Sequence, residues 1–93
     1  MTREAGSKTC EVWEQFQDSG GLISPHYHEV EEIITLLKGK VEVMIDGQTT
    51  EVEAPVTLFI PEKVVHSIRN VGEKTTHVLA FFPYLDPEVI YVK

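Results

Sequence analysis

Ninety-three residues with 42% hydrophobic and 25% charged side chains describe a folded chain with room for one compact domain spanning 1–93, because so short a sequence cannot divide its apolar residues between two cores. Fifteen Asp and Glu against eight Lys and Arg leave a formal charge of −7, a field that repels nucleic-acid phosphates and anionic membranes, so neither is an expected partner. Cys10 is the only cysteine, which excludes an intrachain disulfide and makes a reducing compartment, the cytoplasm, the expected location. Met1 to Ser7 is polar with no apolar run behind it, and no stretch approaches the ~18 apolar residues of a membrane span.

Thr9 to Gln17 carries Val12, Trp13 and Phe16 in loose alternation and predicts a first strand, ended by Gly20-Gly21. After a polar segment, Ser24 to Glu31, the runs Glu32 to Leu37 and Val41 to Ile45 flank Lys38-Gly39 and predict two strands joined as a hairpin. Asp46-Gly47 supplies the positive φ of a type I′ turn and leads into a strand over Thr49 to Val52. Ala54-Pro55 interrupts the chain, Val56 to Ile60 reads as a short buried strand, and Pro61 closes it. His66 to Val71 alternates again, Gly72 to Lys74 turns, and Thr75 to Phe82 is a long apolar strand. Pro83 and Pro87 precede a last β-branched run, Val89 to Val92. Turn signals at such short intervals, with no amphipathic helix, predict an all-β sandwich or barrel.

His26 and His28 are one residue apart, so on an extended backbone both imidazoles point to one side and Tyr27 to the other. Glu32 keeps the parity of His28, with Ile34 and Leu36 following on its face, while His66 shares a face with Ile68 and Asn70. Three imidazoles and a carboxylate form a mixed N/O set suited to Mn, Fe, Co, Ni, Cu or Zn. Taken singly, each has an ordinary alternative: a core-edge histidine, or a glutamate on the solvated acidic run Glu29 to Glu32. The convergence of three of only four histidines on one predicted face favours the ligand role.

These residues resemble the cupin superfamily, in its small single-domain form. Gly20, His26, His28, Glu32 and Gly39 stand in the register of the first cupin motif (20–39), and Pro61, His66 and Asn70 in that of the second (55–70). Pro55 and Lys63 replace two glycines of the second motif, which touches the turns beside Val56 to Ile60 but no ligand position. The resemblance implies a small jelly-roll-like β-barrel, the double-stranded β-helix. It further implies one divalent transition metal per chain, held by His26, His28, Glu32 and His66, with adjacent coordination positions left for substrate. Small cupins are often dimers. The apolar stretches Val12 to Phe16 and Val89 to Val92 give an independent reason to expect a homodimer, with 83–93 as a C-terminal extension at its interface.

His77 shares a face with Leu79 and Phe81 and is a candidate catalytic proton carrier if that face turns inward. Glu32 or a bound water is the other candidate for proton handling. Arg69 has the opposite parity to His66 and is expected outside the cavity, Asn70 is expected to brace a turn, and Cys10 reads as a small buried residue rather than a nucleophile. Trp13 and Phe16 read as core or interface. The functional expectation is a metal-dependent enzyme on a small polar organic molecule, with dioxygenase-type oxidation or Lewis-acid isomerase or lyase chemistry. The competing class is a non-enzymatic module that binds a sugar or metabolite.

Overall fold

The computed structural model describes residues 9–84 and 87–92. The polar opening Met1 to Ser7 and parts of the 83–93 extension therefore lie outside the described residues. Nine strands run in order: β1 Glu11–Gln17, β2 Leu22–Tyr27, β3 Glu32–Lys38, β4 Lys40–Ile45, β5 Gln48–Glu53, β6 Val56–Ile60, β7 His66–Asn70, β8 Thr76–Phe82 and β9 Ile90–Tyr91. They form two antiparallel sheets, β1-β8-β3-β6 and β5-β4-β7-β2-β9. Among the described residues the two sheets remain separate ladders, so the barrel is a jelly-roll pair of sheets rather than a ring closed by backbone pairing. No helix long and apolar enough to cross a membrane occurs among the described residues.

The core follows from the two-residue period of the strands. One sheet turns Ile34, Leu36, Ile60 and Val78 inward, and the other answers with Val41, Val43 and Ile68, all at most 4% exposed. Removing each such side chain from water contributes roughly 1.5–3 kcal/mol. The predicted strand faces hold: Glu32, Ile34 and Leu36 are buried together, as are His66, Ile68 and Asn70, and Arg69 is exposed.

The expected hairpin at Lys38-Gly39 does not form. β3 pairs with β6 and β8, whereas β4 pairs with β5 and β7, so the chain passes from one sheet to the other at Gly39. The corner demands glycine twice over. Its φ is +102°, and a Cβ there would stand 2.7 Å from Thr76 Cγ2. The other predicted turn is present: Asp46 and Gly47, at φ 52° and 82°, join β4 to β5. Lys63, where the second motif carries glycine, takes φ 62°, so the turn survives at a strain of about 1–2 kcal/mol.

The first part of the polar segment, Ser24 to Tyr27, is extended and belongs to β2, which begins at Leu22. Its pairing with β7 shifts register between Ile23 and His26, and this irregularity accommodates Pro25, which has no N–H for a regular ladder. Asn70 braces a loop junction as expected. Its Nδ2 donates to the Gln17 and Lys74 carbonyls at 3.0 and 2.8 Å, and its Oδ1 accepts from the Gly72 N–H at 2.9 Å.

Candidate metal centre

β2 carries His26 near its end, with His28 just beyond it; β3 opens with Glu32 and β7 with His66. Three strand termini thus deliver four side chains to one end of the core, each between 1% and 6% exposed. One ligand atom from each lies within 4.8 Å of the others.

The imidazoles are held from behind. His26 Nδ1 donates to the Ser24 carbonyl at 2.8 Å, His28 Nδ1 to the Glu88 carbonyl at 2.8 Å and His66 Nδ1 to the Val64 carbonyl at 3.0 Å. A carbonyl only accepts, so the proton of each neutral ring is on Nδ1 and the Nε2 lone pair faces the cluster. Burial pushes His26 and His28 below the usual histidine range. For His26 the neighbouring His66 and His28 push the same way, against the opposing hydrogen bond to Ser24. The neutral ring is the metal-binding form.

Glu32 Oε1 lies 2.9 Å from His66 Nε2 and 3.5 Å from His28 Nε2. With Nδ1 already donating, a neutral His66 would bring two acceptors together, and the contact requires a proton or a cation between them. One proton satisfies one such pair, whereas one divalent cation satisfies all four electron-pair donors. The donor set therefore fits a divalent transition metal.

The cluster opens on a cavity of about 20 Å³ whose remaining wall includes Trp13, Gln15, Ile23, Ile34, Val78 and Ala80. That is room for about one water-sized group. A larger open groove of about 720 Å³, lined by Lys38, Lys40 and Lys74 among others, contains none of the four clustered residues.

His77 is not in the cavity, which corrects its expected role as a proton carrier there. Val78 and Ala80 line the cavity wall and Thr76 and Phe82 are buried beside them, so His77 belongs to the opposite face of β8. It sits 2.6 Å from Glu14 and stacks on Phe16 at 4.4 Å between ring centroids. Gln15 has no sequence signal as a wall residue, and Trp13, expected in the core or at an interface, lines the wall beside it. They occupy alternate positions on β1, but polar and apolar residues mix on both faces of that strand, so its inner face carried no hydrophobic signature. The Glu88 carbonyl was equally illegible, because it reaches His28 through a backbone atom and the pairing of β9 with β2.

An all-β jelly roll with a buried His₃Glu cluster suited to a divalent cation defines the class of protein. The cupin domain family model matches residues 13–82, and the chain belongs to that family. It is 36% identical over 70 residues to a protein named polyketide synthase CurC from Streptomyces cyaneus, covering 74% of this chain and 46% of that one. Among solved structures, the polyketide cyclase RemF from Streptomyces resistomycificus superposes with a TM-score of 0.86 at 26% identity, covering all of this chain and 67% of that one. An oxalate oxidase superposes at 0.83 and 26% identity, covering 90% and 46%. The chain thus spans about half the length of the first relatives it matches by sequence.

Proposed function

We propose that the chain is a divalent-metal-dependent enzyme acting on a small polar organic molecule, with one transition metal per chain held by His26, His28, Glu32 and His66. The single observation that carries this reading is the convergence of three imidazoles, each paired at Nδ1 with a backbone carbonyl, and one carboxylate, with ligand atoms within 4.8 Å of one another. When bound, the metal supplies Lewis-acid polarisation of a chelated oxygen and, where it is redox-active, one-electron chemistry. The backbone carbonyls behind each ring keep the imidazoles oriented. Glu32 offers a carboxylate for holding a proton at the substrate, and the aliphatic wall limits water. Neighbours described as an oxidase acting on oxalate and a polyketide cyclase support a substrate rich in oxygen.

The test is elemental analysis of the purified chain after expression with each metal. Near-stoichiometric Fe, Mn, Co, Ni, Cu or Zn in the wild type, with at least tenfold weaker retention in His28→Ala and Glu32→Gln, is the expected result. Unchanged metal content in both variants overturns the ligand assignment. A metal-loaded chain inert toward oxygen-rich acids and ketones favours the metabolite-binding module.

The proposal includes a homodimer. Val12, Phe81, Ile33 and Phe59 stand opposite one another across β1, β8, β3 and β6, and Phe16 and Phe59 are 61% and 56% exposed. A second copy covering this row would remove a contiguous apolar face from water.

A further inference from the structure

Eleven of the described residues line the cavity beside the cluster, and among them only Trp13, Gln15 and Ile23 are not buried. The cavity therefore meets solvent on their side, and because it has room for only about one water-sized group, a larger ligand would place its metal-bound end inside and the rest at this mouth. Trp13 has one polar hydrogen, and its Nε1 already donates to Glu11 Oε2 at 2.7 Å. Ile23 has no polar side-chain atom. Among the described residues, the amide of Gln15 is the remaining polar side-chain group of the wall outside the four clustered residues, and no lysine or arginine lines it.

Charge narrows what can sit there. A dication with three neutral imidazoles and one carboxylate retains one positive charge, which a singly charged ligand neutralises. A second anionic group would face only an amide and aliphatic side chains, with its desolvation uncompensated. A hydroxyl or carbonyl, in contrast, can pair with Gln15, whose amide both donates and accepts. We propose that Gln15 is a ligand-positioning residue of the metal centre, and that its ligand is a small, neutral or singly charged oxygen chelator carrying a hydroxyl, carbonyl or amide group beside the chelating atoms. This rests on the metal-centre reading above.

The test uses the full chain loaded with Co(II) and titrated with acetohydroxamate, a singly charged oxygen chelator when bound, following the cobalt visible bands. Gln15→Met keeps the length of the side chain and removes its hydrogen bonds. The dissociation constant is expected to rise about 3- to 10-fold with cobalt stoichiometry and melting temperature unchanged. Gln15→Glu, which sets a negative charge at the mouth, is expected to weaken binding further. Equal affinity in wild type and loaded Gln15→Met overturns the proposal while leaving the metal centre standing. If that variant does not fold, Gln15→Asn serves instead, because its amide is withdrawn by one methylene, and equal affinity there overturns the proposal too. A wild type that takes up no Co(II) overturns the metal-centre reading and this proposal with it, and the cobalt stoichiometry separates the two failures.

Discussion

Glu32 Oε1 stands 2.9 Å from His66 Nε2, with both side chains buried at the mouth of the core. The two residues are 34 positions apart in the chain and lie on strands of different sheets, so the packing of one sheet on the other brings them together. Their contact links the stability of the fold to the occupancy of the centre, because buried lone pairs that face each other need a cation or a proton.

The metal-free chain should lose stability on mild acidification. Burial lowers His26 and His28 below the ordinary value of 6.5, so below that pH the unfolded chain binds more protons than the folded one. The slope of unfolding free energy with pH is then positive. The contribution of these two residues is present above pH 6.5 and is lost as pH falls from there through their folded values. Denaturant titrations of the metal-free chain across that range should show the midpoint falling, and a flat profile would contradict the assigned neutral rings. Protons also compete with metal for the same nitrogens, so metal affinity should fall in the same direction.

Gly39 and Gly47 should respond differently to alanine. At Gly39 the new Cβ would meet Thr76 at 2.7 Å as well as an unfavourable φ, whereas at Gly47 nothing lies within 4 Å. Gly39→Ala should destabilise by about 2–4 kcal/mol and Gly47→Ala by about 1 kcal/mol. Thermal melts would register this as a drop several times larger for Gly39→Ala. Equal drops would remove the corner's close packing as the reason for glycine.

Removing the segment after Pro83 should loosen the metal centre without touching a ligand. It takes away the Glu88 carbonyl that orients His28 and the β9 strand that pairs with β2. Metal affinity is expected to fall about 10- to 100-fold, measured by competition with a chromogenic chelator. Unchanged affinity would show that the ring is oriented without it.

The oligomeric state can be read by size-exclusion with light scattering at micromolar concentration. The wild type should run as a dimer, and Phe59→Glu, placed in the exposed apolar row of the β1-β8-β3-β6 sheet, should run as a monomer with its metal content retained. A monomeric wild type would remove the dimer from the proposal.

Period-two alternation by itself determined which side chains share a face. His26 with His28, Glu32 with Ile34 and Leu36, and His66 with Ile68 and Asn70 could be grouped because successive residues of an extended chain point to opposite sides. The Asp46-Gly47 turn was legible for an equally local reason, its need for positive φ. Tertiary structure decided the rest. Whether Lys38-Gly39 made a hairpin or a corner depended on which strands β3 and β4 would pair with, a choice between non-local partners that no local signal encodes. The outward face of His77 and the inward face of Trp13 and Gln15 followed from the packing of the two sheets, and the carbonyl of Glu88 behind His28 from the pairing of β9 with β2. Alternation assigns residues to two faces, and only the packing of one sheet on the other determines which face is inside.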